Sequence, residues 1–359
     1  MIRPFDIRDV GLIQRLSGQV RPLAMEWVAV EGISPLREAM RAYLSGGRDA
    51  SVVLVERSAP HGIEAFGLMH VLSPGQATDH QENAHPRGAV IVMMSPKPDT
   101  HEYVEAWSYL LHEFVVEAAV RGVHHIVAEA AEGGSEWLAL HAAAFVPLIQ
   151  QDVLKLSPGR SVDAAASVPG LREQTKEDEP AVRALHARLA PKMTYQAESS
   201  FDMPCASGRH NHNYVFVQGG EVLAHIAVHS GRRGYGLRLR IRPEAEAHAE
   251  SILRCVLAQH TRHPQRPVYV TVRQHHSWLL PILDRIGFTH LASNVLMVRH
   301  VARHVQQPVW TQALELEAST ARRTHTASYG LPQEEARHTG HANTAPIPPL
   351  VNHAGDPHY

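Results

Sequence analysis

The apolar positions of this chain run through one pattern twice. In IRPFDIRDVGLIQRLSGQVRP (2–22), Ile13, Leu16 and Val20 recur at intervals of three and four, the spacing of one helix face. LREQTKEDEPAVRALHARLAP (171–191) aligns to it without a gap, with Val182, Leu185 and Leu189 at the same places. Arg3 then meets Arg172, and Asp9 meets Asp178. Each copy predicts a short strand and an amphipathic helix, with the aspartate where a cap or first-turn acid is favoured. Apolar runs broken by turns follow, SVVLVERSAPHGIEAFGLMHVLS (51–73) and NYVFVQGGEVLAHIAVHS (213–230), each a predicted hairpin. GAVIVMMSPKP (88–98) and GLRLRIRPE (236–244) are strands ended by proline and followed by a helix, with Asp99 and Glu102 as the capping pair of the first. The strands HIVAEA (125–130) and VYVTVR (268–273) come next. A helix follows in each copy, anchored by Trp137-Leu138 or Trp278-Leu279, and then a closing strand, DVLKL (152–156) or NVLMV (294–298).

The repeat divides the 359 residues into an N-terminal domain (1–156), a linker SPGRSVDAAASVPG (157–170) and a C-terminal domain (171–305). Residues 306–359 are polar, rich in Pro and Thr and poor in apolar runs, so a disordered tail is expected. With 44% hydrophobic residues, 19% charged residues and a net charge of −2, nothing points to a nucleic-acid or membrane partner. Cys205 and Cys255 lack the paired spacing of a disulfide framework or a thiolate metal site. The start carries Arg3, Asp6, Arg8 and Asp9, unlike a signal segment, and no apolar run approaches the ~20 residues that span a bilayer, so a cytoplasmic location is expected. Histidine is abundant at 27 residues, with pairs at 124–125 and 275–276, yet no metal-binding spacing such as H-E-x-x-H occurs and no metal is expected.

The order strand, helix, hairpin, strand, helix, strand, helix, strand, with IRP…D at the start and WLLPILDRIGFTHLASNVLMV (278–298) near the end, resembles the GNAT superfamily of N-acetyltransferases. AAAFVPLIQQDVLKL (142–156) is the weaker counterpart of that closing stretch. The resemblance implies an α/β (α+β) fold of two tandem GNAT-like domains, each a mixed, mostly antiparallel twisted sheet flanked by helices. It also implies acetyl-CoA or another acyl-CoA as cofactor, and acyl transfer to an amine.

Active members hold the cofactor with a Q/R-x-x-G-x-G/A loop at the helix after the fourth strand, where glycines let backbone N–H groups approach a diphosphate. The matching stretches here, PEAEAHAES (243–251) and PKPDTHEYV (96–104), hold no glycine, and the first is acidic. GRRGYG (231–236) imitates the loop but precedes a strand of period two, so it reads as a turn. Leu283 and Leu140 stand where many relatives place a proton-donating tyrosine. Asp284, His275 and His276 read as an exposed helix face, and Glu129 and Glu132 carry no assignable role.

Arg238, Arg240 and Arg242 alternate with Leu237, Leu239 and Ile241, so their guanidiniums share one face of one strand. That row is either an anion-binding groove or an ion-paired or solvated sheet face, the latter set against the other repeat. Arg240, Arg242 and Ser251 are the candidate cofactor-binding residues, and the sequence assigns no catalytic residue. Three functions stay open. They are an N-acyltransferase with degenerate acyl-CoA and general-acid motifs, a non-catalytic binder of an acyl-CoA or anionic metabolite, and an interaction scaffold. The expected partner is a small-molecule amine or anionic metabolite, with a homodimer possible on geometry alone.

Overall fold

The computed structural model describes residues 1–46, 50–57, 62, 64–72, 87–159, 167–189, 191, 211–260 and 266–301. The expected tail and most of the expected linker lie outside these residues. Residues 1–304 form one compact unit. The first repeat supplies β1 (Ile2–Pro4), α1 (Val10–Leu16), β2 (Arg21–Pro22), α2 (Met25–Glu31), α3 (Pro35–Leu44), β3 (Ser51–Glu56), β4 (Ala65–Val71) and β5 (Arg87–Ser95). It continues with α4 (His101–Val120), β6 (Val123–Ala130), α5 (Ser135–Ala142) and β7 (Val146–Leu156). The second supplies β8 (Leu171–Glu173), α6 (Glu179–Leu189), β9 (Asn211–Gln218), β10 (Glu221–Ser230), β11 (Tyr235–Ile241), α7 (Glu246–His260), β12 (Val268–Arg273), α8 (Leu280–Ile286) and β13 (Thr289–His300).

The repeat holds at the level of atoms. Arg3 and Asp9 form a bidentate pair, Nη1 to Oδ2 at 2.8 Å and Nη2 to Oδ1 at 2.9 Å. Arg172 and Asp178 reproduce it at 2.6 and 2.8 Å. In both, the aspartate also accepts a backbone N–H three residues upstream, from Asp6 or Thr175, closing the turn into the helix. The Asp99–Glu102 capping pair does not form. Thr100, without a side-chain cap bond, occupies the N-cap position of α4, and Asp99 is turned back to Lys97 at 2.7 Å.

The thirteen strands of the described residues belong to one sheet, ordered β1-β3-β4-β5-β6-β13-β7-β12-β11-β10-β9-β8, with β2 beside β5. The closing strands are longer than expected and are exchanged between repeats. β13 pairs with β6 of the first repeat, β7 pairs with β12 of the second, and the two run antiparallel to each other. Ser293 opposes Asp152 and Asn294 opposes Gln151, so the central pair is nearly symmetric about its own middle. The exchange covers the edge that each repeat would otherwise leave exposed.

In the second repeat Leu237, Leu239 and Ile241 turn to one side, into a core with Ile252, Leu253 and Val256 of α7. Period-two alternation sends Arg238 and Arg240 to the other side. There α6 and, from the first repeat, α2 pack on β11. α2 also packs on β12. This placement of α2 across the repeat boundary builds the site.

Candidate ligand cavity between the two repeats

In each repeat a parallel strand pair runs together briefly and then separates. β11 and β12 pair only over Tyr235–Leu237 and Val268–Val270. β5 and β6 pair over Arg87–Val90 and Val123–Val127. The first gap is filled by the chain itself. Arg21 and Pro22 pair with Met94 and Met93, Leu23 donates its N–H to Val92 at 2.9 Å, and its carbonyl accepts from Glu129 at 2.8 Å. Buried Leu23 thus closes the wedge with strand-like hydrogen bonds. Among the described residues nothing crosses the second gap.

A cavity of about 80 Å³ opens at this second gap. β11 contributes Arg238 and Arg240, and β12 contributes Thr271 and Arg273. The turn after β12 adds His275 and His276, and α6 adds His186. The first repeat closes it with Glu26 and Trp27 of α2 and Glu129 of β6. The volume holds several water molecules or one small polar ligand.

Two carboxyls face the guanidiniums. Glu129 accepts the N–H of Met25 at 3.0 Å and so caps α2, which has no side-chain cap of its own. Burial raises the Glu129 carboxyl above its ordinary range, against the opposing pull of that bond and of Arg273. Glu26 accepts the hydroxyl of Thr271. Burial pushes the Glu26 carboxyl up from 4.5 to about 7, although the Thr271 bond and the charges of Arg238 and Arg273 favour ionisation. Desolvation outweighs two nearby cations here, as expected for a carboxyl shut behind a helix. His225, opposite Arg240 on β10, is driven down to about 3 by burial and by Arg240 and Arg238. The indole N–H of Trp27 is buried and has no hydrogen-bond acceptor among the described residues. A buried donor without a partner costs about 1–3 kcal/mol, an expense that a bound acceptor would remove.

The sequence candidates separate. Arg240 lines the cavity. Arg242 is held outside it by Glu221 at 2.9 Å and Glu244 at 2.7 Å. Ser251 lies on the exposed side of α7. His275 and His276 are not on an exposed helix face as expected. They stack at 4.3 Å in the turn after β12, where buried His276 helps wall the cavity. Glu26, which sequence reasoning missed, is brought in from the other repeat, 245 positions from Thr271.

The start of α7 does not fit a coenzyme A diphosphate. Pro243 has no N–H, the Ala245 N–H is bonded to the Arg242 carbonyl, and the Glu246 N–H is bonded to the Pro243 carbonyl. The first turn is acidic, with Glu244 paired to Arg242 at 2.7 Å and Glu246 two residues on, and repulsion between unit charges at 4 Å is about 1 kcal/mol even in bulk water. GRRGYG is a turn, and its amides are used: Arg233 and Gly234 both donate to the carbonyl of Val30 in α2, at 2.9 and 3.2 Å.

Comparison with known proteins places the architecture. No family model matches the chain, and no curated protein matches it in sequence. A GCN5-related N-acetyltransferase from Sphaerobacter thermophilus superposes with a TM-score of 0.50 at 13% identity, over 86% of this chain and 97% of its own. A tandem GNAT protein from the clavulanic acid biosynthesis pathway gives 0.49 at 15% identity, over 85% and 99%. The chain has the fold of the GCN5-related N-acetyltransferases, and its internal repeat makes it a tandem example of that fold. Among the described residues no helix is long and apolar enough to cross a membrane.

Proposed function

We propose that this chain binds a small metabolite with an anionic group in the cavity between β11 and β12, on an acyltransferase fold that no longer seats a coenzyme A diphosphate on α7. The observation that carries the reading is the convergence of Arg238, Arg240 and Arg273 on one cavity, in a repeat whose α7 begins with a proline, two bonded amides and an acidic first turn. Guanidiniums bind carboxylate and phosphate oxygens in pairs, and a partly enclosed site strengthens each contact. Calorimetry with acetyl-CoA, desulfo-CoA and small carboxylates tests it. Heat from the carboxylates that disappears in Arg240→Ala, with none from either coenzyme at millimolar concentration, supports the reading. Coenzyme binding at micromolar concentration would refute it.

A second reading, N-acyl transfer to an amine, is favoured by Glu26. A carboxyl titrating at about 7 is matched to take a proton from an ammonium near neutral pH, the task of a general base in such a reaction. Thioester turnover with an amine panel, lost in Glu26→Gln, would select it.

A further inference from the structure

The cavity lining carries both signs of charge, each sign from a different repeat. Arg238 and Arg240 project from β11 and Arg273 from β12, while Glu26 and Glu129 come from α2 and β6 of the other repeat. The two sets already feel each other: Arg238 and Arg273 act on Glu26, and Arg273 acts on Glu129. A lone anion would strengthen one wall and leave the carboxyls facing additional negative charge. A ligand with both signs keeps the balance, its own dipole running from the guanidiniums to the carboxyls. The volume of about 80 Å³ admits a small ligand bearing two charged groups.

We infer that the ligand is a small amino acid, its carboxylate held by Arg238, Arg240 and Arg273 and its ammonium by Glu26 and Glu129. This rests on the anion-binding reading above and narrows it to a zwitterion. The site is then incomplete in either repeat alone, since one supplies the cations and the other the carboxyls.

Linked protons separate the two claims. An ammonium beside Glu26 favours its ionised form, so an amino acid releases a proton on binding near pH 7. A plain carboxylate favours the protonated form and takes one up. The other charged or titratable groups lining the cavity with Glu26 are Arg238, Arg240, Arg273, Glu129, His186, His275 and His276. A Glu26→Gln variant isolates the Glu26 contribution from theirs.

The experiment is calorimetry of the full chain in buffers of different ionisation enthalpy. The probes are glycine, alanine, aspartate and glutamate, each paired with its deaminated counterpart acetate, propionate, succinate or glutarate. The expected result is that at least one amino acid binds about tenfold or more tightly than its counterpart. Its binding releases a proton, and Glu26→Gln abolishes both the release and the preference. Arg240→Met weakens both members of that pair alike, with thermal melting checking that each variant is folded. Equal binding of a carboxylate and its amino acid, or proton uptake with both, overturns the zwitterion and leaves the anion site standing. No binding by any probe at millimolar concentration overturns both.

Discussion

Replacing Glu26 by Gln makes the protein more stable at alkaline pH, although it removes a group from the centre of the site. The carboxyl titrates at about 7 in the folded chain, against 4.5 for an unburdened glutamate. Each pH unit between the two values is worth about 1.4 kcal/mol, so ionised Glu26 costs the fold about 3 kcal/mol once both states are deprotonated. The sign follows from the raised folded value. The wild-type chain is relieved of this cost below pH 4.5, loses stability as pH rises through 7, and carries the whole cost above that. Glutamine keeps the shape and an acceptor for Thr271 but has no charge to desolvate. Urea unfolding of both proteins at pH 5 and pH 8 measures the effect. The stability difference, variant minus wild type, is expected to grow by about 2–3 kcal/mol between those values. A difference that stays constant with pH would show that Glu26 is solvated like a surface carboxylate, and the closed cavity would be refuted.

Other consequences follow from the contacts that join the repeats. His229 is clamped between Glu31 at 2.6 Å and Asn211 at 3.0 Å, all within or beside the α2–β10 contact, so Glu31→Ala should cost about 1–3 kcal/mol by leaving a buried imidazole nitrogen unsatisfied. Denaturant midpoints check this, and an unchanged midpoint would remove the clamp. Leu23→Ala should cost about 2–5 kcal/mol in the same assay, because Leu23 is 1% exposed where it plugs the first wedge. Gly231→Ala should cost about 1–3 kcal/mol, since a Cβ there would lie 2.5 Å from both the carbonyl oxygen and a methyl of Val30. A neutral Gly231→Ala would mean that the turn does not press on α2.

The internal repeat was legible because local spacing encodes it. The three-and-four apolar pattern and the Arg–Asp pair six residues apart recur in both copies, and both copies fold them alike. The alternation over 237–242 likewise placed three arginines on one face. It did not show that Glu221 and Glu244 remove Arg242 from that group, because one of these acids comes from a neighbouring strand. The exchange of closing strands has no local signature. DVLKL and NVLMV suit pairing with either repeat, and only the three-dimensional order reveals the choice. Glu26 was invisible for the same reason: within its own helix it is an ordinary first-turn acid, and its partners lie on strands of the other repeat. His276 was misread because Trp278 and Leu279 suggested a regular helix, whereas the chain first makes a tight 3-10 turn that tucks the imidazole inward.

Amide hydrogen exchange over residues 244–249, with and without saturating acetyl-CoA, tests the central claim most directly. A helix start with the Ala245 and Glu246 N–H groups already bonded and an acidic first turn predicts unchanged exchange in this stretch. Strong coenzyme-dependent protection of these amides would show a diphosphate seated there and contradict the account.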